Sequence, residues 1–359
     1  MTLAEAARGR DNNFHLIRFL AALAVLYGHC YPLAGGGAPP LADWLGIDIG
    51  SVAVDVFFVT SGFLVTASLR DRPGVRAFVW ARVLRIYPAL WGVVVLTVAV
   101  LGPLLTTRPA AAYWADPGVV DYLIKCASLW GGIAIHLPGV FEANPYPAAV
   151  NGSLWTLPYE LRMYAILALL GIVVQRLGRR RQGVLTGAVA LIAGVAGGTM
   201  LVRHFFHTDA GYFARFAWMF FCGACLQMAA ARVPLGWSGL LAGCGVLALA
   251  SLQRDVFFVA YVLLLGYLVV ALAHVPGGVI RRFNRVGDCS YGVYLYAFPV
   301  QQTVVALLPG ITPVGLLAVS APLTVALAGL SWICVERRAL AFKGRMDVER
   351  GMATEGSMR

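Results

Sequence analysis

Charge is scarce in this chain. Only 13% of its 359 residues are Asp, Glu, Lys or Arg, roughly half the share found in ordinary soluble domains. That deficit excludes a disordered chain, a coiled coil and a soluble enzyme of this length, because no soluble fold covers so much apolar surface. Lysine is almost absent: Lys125 and Lys343 are the only two, and arginine supplies the rest of the positive charge. No internal repeat is visible, which weighs against a transporter assembled from inverted halves. The seven cysteines are an odd number and most lie inside apolar runs, where cysteine acts as a small hydrophobe. Cys222-Gly-Ala-Cys225 has redox spacing but sits in the middle of such a run. No metal site is expected.

Hydrophobic residues, by contrast, make up 60% of the chain, and mean hydropathy is +0.76. The solvent is lipid. About 20 apolar residues cross a hydrocarbon core of roughly 30 Å as a helix. The hydropathy pattern predicts ten spans, at 14–34, 51–69, 84–105, 155–175, 184–202, 212–231, 237–252, 256–274, 289–308 and 314–335. The first is too long, and too polar at Arg18 and His29, for a cleaved signal peptide. The expected fold is therefore all-α, a polytopic membrane protein.

The net charge of +11 reports orientation rather than nucleic-acid binding, since Lys and Arg collect on the cytoplasmic side. With the N-terminus inside, 21 of the 28 cationic residues fall in inner segments and 4 in outer ones. Arg18, Arg162 and Arg215 lie within spans. An even number of crossings places both termini in the cytoplasm. The longest connection, 106–154, is then outside, and its apolar stretch near 119–137 reads as a re-entrant or surface helix. Residues 1–338 form one expected domain, and 339–359 a short cytoplasmic tail.

Ionisable groups inside a bilayer are costly and point to function. At 1.5 Å per residue, His29 lies about 22 Å from the cytoplasmic face, Glu160 about 21 Å and Asp55 about 22 Å. Three distant positions share one layer. Histidine is the side chain best suited to act as a base near neutral pH, and a carboxylate on its other nitrogen fixes the tautomer. His29 with Glu160 is the favoured pair; the alternative is a buried polar contact that sets helix register. Asp55, near a helix end, is equally open to a structural role. Arg18 precedes His29 by eleven residues, three turns plus 20°, so both lie on one helix stripe about 16 Å apart. Arg82 and Arg85 are neighbours on one face, in Trp80-Ala-Arg82-Val-Leu-Arg85-Ile-Tyr-Pro88. Forked guanidiniums at a cytoplasmic mouth grip phosphates, or simply anchor the helix by the positive-inside rule.

At these residues the sequence resembles the acyltransferase-3 family of multi-spanning membrane O-acyltransferases. The likeness is carried by Arg18 and His29 with ten residues between them, by Val54-Asp55-Val-Phe57-Phe58-Val-Thr-Ser61-Gly62-Phe63-Leu64, by Arg82-Val-Leu-Arg85-Ile-Tyr-Pro88, and by Asn151-Gly-Ser153-Leu-Trp155-Thr-Leu-Pro-Tyr-Glu160. Ser290-Tyr291-Gly292-Val-Tyr294-Leu295 resembles the family's ninth-helix segment. The resemblance covers about 12–338. One departure stands out: many members have a histidine after that last motif, whereas Tyr296 follows here, which puts any mechanism needing two imidazoles in doubt. Some members also carry a fused extracytoplasmic hydrolase-like domain; none is expected here.

The resemblance implies acyl-CoA, often acetyl-CoA, as donor and a membrane-associated or extracytoplasmic glycan hydroxyl as acceptor, in a bacterial inner membrane. It implies His29 as base, with Arg82, Arg85 and Arg18 near the CoA phosphates. Acyl-CoA is a co-substrate, and no permanently bound cofactor is expected. Ser61, Ser153 and Tyr159 are candidate oxyanion donors, and Tyr291 and Asp55 further substrate-binding candidates. Direct transfer and a covalent acyl-enzyme both remain open. The rival class is a transporter or flippase of a glycan or lipid-linked anion; a weaker third is a non-catalytic scaffold.

Overall fold

Apolar runs with few helix breakers leave one way to satisfy backbone groups in lipid, and each expected span takes it among the described residues. The computed structural model describes residues 1–9, 11–71, 74–175, 181–207 and 211–342. Most of the tail expected at 339–359 lies outside the described residues, as do Arg10, Arg72, Arg176, Arg179 and Arg180 of the charge count.

Eleven principal helices follow in order. They are α1 (Phe14–Leu33), α2 (Ile49–Asp71), α3 (Val75–Leu96), α4 (Pro117–Ser128), α5 (Leu157–Gln175), α6 (Arg181–Phe206), α7 (Phe213–Met228), α8 (Trp237–Ala250), α9 (Arg254–His274), α10 (Ser290–Leu307) and α11 (Pro313–Ser331). Among the described residues, seven helical segments are long and apolar enough to cross a membrane, and α7 and α8 are shorter apolar helices. Each of the ten expected segments is helical, but several bounds move. The third begins at Val75 rather than 84, because Arg76, Arg82 and Arg85 are good helix formers that a hydropathy window excludes. Beyond Leu96 it continues through a π-helical turn, Thr97–Leu101, to Leu105.

The surface helix expected over 119–137 is shorter than its apolar stretch. Asp116 caps its start through Gly118 N at 2.8 Å, with Pro117 at the first position. Leu129 ends it in the left-handed region at φ 57°, and Gly131 and Gly132 keep the backbone there.

The helices divide into two units. One comprises Met1–Gly28, Ala38–Asp71 and Tyr159–Asp288. In it α2 and α7 cross closely, because Gly62 lies on the Phe220 carbonyl and Gly223 on that of Val59. Small residues at a helix crossing are the usual packing solution in lipid. Leu3, Phe14, Phe63, Leu240 and Leu268 form a buried cluster here.

The other unit comprises His29–Gly37, Arg72–Pro158 and Cys289–Arg359. Its centre is α10, buried at nearly every position from Ser290 to Val305. Polar side chains on α10 hold the loop before α5: Gln302 Nε2 donates to Tyr146 O at 2.9 Å and Ala149 O at 2.7 Å, and Asn144 donates back to Gln302 Oε1 at 2.8 Å. Tyr87 and Trp91 of α3 hydrogen-bond Ser128 O and Ala127 O, fixing the end of α4.

Candidate active site

His29 stands one turn before the end of α1. It is half-buried, and its ring meets Phe298 of α10 edge-to-face, 5.3 Å between centroids at 77°. The Phe298 ring also lies close to Gly152, where a Cβ would fall 2.7 Å from it. A larger residue there would have to displace the Phe298 ring. Gly152 opens a 3-10 turn, Gly152–Thr156. Tyr294 pins this turn by donating to Ser153 O at 2.7 Å and sharing a hydrogen bond with Thr156 Oγ1 at 2.6 Å. Asn151 Nδ2 donates to Leu295 O at 3.0 Å. Ser153 Oγ is buried and has no hydrogen-bond partner among the described residues. Phe298 thus packs on both His29 and the turn that carries a buried hydroxyl.

Arg82 and Arg85 lie one turn apart on α3, both half-buried. The Arg85 guanidinium sits over the Tyr291 ring at 5.7 Å and 4.0 Å from the Glu336 carboxylate. Tyr291 OH donates to Ile86 O at 3.1 Å. Glu336 is buried and accepts from Ser331 Oγ at 3.2 Å, across the π-helical turn Trp332–Glu336 that follows α11. Single π-turns of this kind recur at functional sites. Sequence reasoning missed Glu336 because it falls just past the last expected span. The signal was an isolated acid directly before Arg337 and Arg338.

In the unit that holds α5, Glu160 Oε1 accepts from Ser61 Oγ of α2 at 3.1 Å. Tyr164, one turn along α5, donates to the same oxygen. Tyr159 packs edge-on against Phe216 at 5.3 Å. Arg162 is exposed and lies over the Tyr159 ring at 5.2 Å, away from the Glu160 face, as helix spacing requires. Arg18 is half-buried, 5.5 Å from the Phe57 ring. Its Nε is buried without a hydrogen-bond partner among the described residues.

Asp55 has different company from that expected. It is fully buried. Arg215 Nε and Nη2 reach it at 2.9 and 2.8 Å, and Tyr261 OH donates at 2.6 Å. Arg215 also bonds Ser51 O at 3.0 Å. Both carboxylate oxygens are engaged inside the protein, so Asp55 braces α2 against α7 and α9. Sequence reading counted Arg215 as an intramembrane charge but gave it no partner; an acid elsewhere in the spans was the signal.

The structure therefore groups Ser61 with Glu160, Arg85 with Tyr291, and, through Phe298, His29 with the turn of Ser153. His29 and Glu160 belong to different units.

A family model described as an acyltransferase domain matches residues 11–334. The chain is 29% identical to "Nodulation protein 10" of Rhizobium leguminosarum bv. viciae, with 96% of this chain and 98% of that protein covered. It is 30% identical to an "O-acetyl transferase" of Shigella phage Sf6, covering 92% of this chain and 96% of that one. "Acyltransferase MdmB" of Streptomyces mycarofaciens is 29% identical over a shorter stretch, 37% of this chain and 31% of that one. No solved structure matches.

Proposed function

The chain belongs to the acyltransferase-3 family, and from that premise we propose that it moves an acyl group, typically acetyl, from cytoplasmic acyl-CoA to a carbohydrate hydroxyl at the outer side of a bacterial inner membrane. The proposal takes ten crossings with both termini in the cytoplasm, following the cationic asymmetry of the sequence. Arg82 and Arg85 take the CoA phosphates at the inner mouth, with Arg18 along the path; its buried Nε, with no acceptor among the described residues, suits an anionic ligand. Tyr291, which supports the Arg85 guanidinium, orients the pair.

At the reacting end, His29 removes the proton from the sugar hydroxyl. The oxygen attacks the thioester carbonyl, the tetrahedral intermediate collapses, and the CoA sulfur leaves with the proton returned from the imidazolium. Pairing with Glu160 rests on the sequence-derived depth and is part of the proposal. Of the oxyanion donors considered, Ser153 is favoured over Ser61 and Tyr159. Its Oγ has no hydrogen-bond partner among the described residues, whereas Ser61 is already bonded to Glu160. A preorganised donor of this kind contributes about 3–4 kcal/mol to a transition state.

The observation that carries this reading is His29 held on Phe298, whose ring also seats the Ser153 turn. The test is consumption of radiolabelled acetyl-CoA by purified protein with a sugar acceptor, for the parent and for His29→Ala of unchanged melting temperature. Loss of transfer in the variant supports the proposal. Normal turnover in His29→Ala ends it, and a parent that leaves acetyl-CoA untouched points to the transporter class.

A further inference from the structure

Tyr146 is an aromatic side chain that the transfer reading leaves without a task. It stands in the loop before α5 and is 44% exposed. The sequence around it is Asn144-Pro145-Tyr146-Pro147. Each proline fixes its own φ at about −65°, and a residue before proline is held to extended backbone. The tyrosine is therefore presented by a stiff segment.

The backbone of this loop is clamped as well. Gln302 of α10, fully buried, donates to the Tyr146 carbonyl at 2.9 Å and to that of Ala149 at 2.7 Å. Asn144 Nδ2 donates to Gln302 Oε1 at 2.8 Å and to its backbone carbonyl at 3.0 Å. Ala148 N closes on Phe141 O at 2.9 Å. A Cβ at Gly35, just past α1, would meet Pro145 at 3.6 Å, so the loop rests on the end of the helix that carries His29. The Tyr146 ring meets Phe298 at 6.2 Å between centroids and 78°. Phe298 is also the ring that meets His29, at 5.3 Å. One aromatic ring therefore separates the exposed tyrosine from the imidazole, a gap within the reach of one or two pyranose units.

We propose that Tyr146 is the stacking platform of a carbohydrate subsite, seating a pyranose unit of the ligand beside His29. That this unit belongs to the acyl acceptor rests on the transfer reading above. A pyranose carries C–H groups on its faces and hydroxyls around its rim. An aromatic ring takes a C–H face and leaves the rim hydroxyls free to react. A tyrosine fixed in advance supplies broad amphipathic contact area and loses little freedom on binding. Anchoring at a membrane interface is the other use of an exposed tyrosine, but an anchor needs neither the flanking prolines nor the contact with Phe298.

The test uses the full chain in detergent and, as probe, tritium-labelled oligosaccharide released from the envelope glycan of the host cell and freed of O-acetyl groups by mild base. Equilibrium dialysis without acyl-CoA measures its binding, so the readout does not depend on transfer. Tyr146→Phe and Tyr146→Trp keep a flat ring and are expected to bind as the parent does. Tyr146→Ala, and Tyr146→Leu, which keeps apolar bulk without the ring face, should weaken binding about five- to thirtyfold at unchanged melting temperature, the range for truncating an aromatic anchor residue. Where Tyr146→Ala does not fold, Tyr146→Leu decides. In acetyl transfer the same two variants should raise KM for the oligosaccharide and leave KM for acetyl-CoA alone. Parent-like binding by Tyr146→Leu, or a rise in both KM values together, the pattern of an anchoring or folding role, overturns the assignment. So does a parent that binds no oligosaccharide. A parent that binds it through Tyr146 yet leaves acetyl-CoA untouched upholds the subsite and removes the transfer reading instead.

Discussion

Arg215 closes on Asp55 with two nitrogens, Nε at 2.9 Å and Nη2 at 2.8 Å from its oxygens, and the carboxylate it meets is completely buried. Removing one partner of such a pair leaves an uncompensated charge in a low-dielectric interior, at a cost of about 3–5 kcal/mol. Removing both with apolar replacements of similar shape is often near neutral. We expect Asp55→Leu and Arg215→Met each to lower the melting temperature in detergent sharply, and the double variant to recover most of the loss. Additive losses in the double variant would show that Asp55 has a role beyond its pair.

The same two helices depend on a steric match. A methyl at Gly62 runs into the Phe220 carbonyl, and one at Gly223 into that of Val59. Both obstacles are backbone, which cannot rotate away. Gly62→Ala and Gly223→Ala should each cost about 1–3 kcal/mol, the usual penalty for overpacking. Gly187, which has open space around its missing Cβ, is the control, and Gly187→Ala should be neutral or slightly stabilising as helix propensity dictates. Thermal unfolding of the three variants decides it.

Why α2 meets α7 was hidden in the sequence, although both helices were legible. Hydropathy and length identify the ten helical segments because lipid penalises any other backbone arrangement. They do not say which helices touch, since an apolar surface facing lipid reads like one facing protein. The charges carry that information only in pairs: Asp55 and Glu160 were both assigned to one reactive layer by depth, yet Asp55 turns to Arg215 and Tyr261, while Glu160 turns to Ser61 and Tyr164. Depth gives a coordinate along the membrane normal and none within its plane. The Arg82/Arg85 pair was readable from spacing of three, but its acidic neighbour Glu336 is contributed from some 250 residues away, beyond what periodicity reaches.

Glu336, 4.0 Å from Arg85, would compete with any anion that the arginine pair held. If Arg82 and Arg85 hold CoA phosphates, substituting either by Ala should raise KM for acetyl-CoA about tenfold or more, the loss of one or two charge-assisted bonds. Acetyl-pantetheine lacks those phosphates, so its turnover should be the same in parent and variants. Glu336→Gln removes the competing carboxylate 4.0 Å from Arg85 and should lower KM for acetyl-CoA. Equal losses on both donors would assign the arginines to folding rather than to phosphate.

Cys126 on α4 tests the packing of the loop that follows this helix. It is fully buried and donates to Ala134 O at 3.1 Å. Burial pushes its thiol up to about 11. The reactive thiolate appears only as pH rises towards that value, so at pH 8 only about one thiol in a thousand is ionised, against roughly a quarter for a free cysteine. In a variant keeping only Cys126, maleimide labelling at pH 8 should be slow in the folded protein and fast after denaturation. Rapid labelling of folded protein at pH 8 would mean that the segment from Leu129 to Ala134 does not cover it.

Ser61 and Tyr164 converge on one oxygen of Glu160, which leaves the orientation of that carboxylate to two hydroxyls from different helices. If Glu160 orients the His29 imidazole as proposed, neither hydroxyl needs to touch substrate for this to matter, because a carboxylate turned out of line orients no imidazole. Tyr164→Phe and Ser61→Ala should each lower kcat several-fold, about 1 kcal/mol per lost hydrogen bond, with KM for acetyl-CoA unchanged. Glu160→Gln should lower kcat far more, since it keeps the shape and loses the charge. In the Glu160→Gln background, adding Tyr164→Phe should cost little further, because there is then no carboxylate to position. Steady-state kinetics of the four proteins checks the scheme. A full additional loss from Tyr164→Phe in that background would mean that the tyrosine acts on the reaction by its own route and not through Glu160.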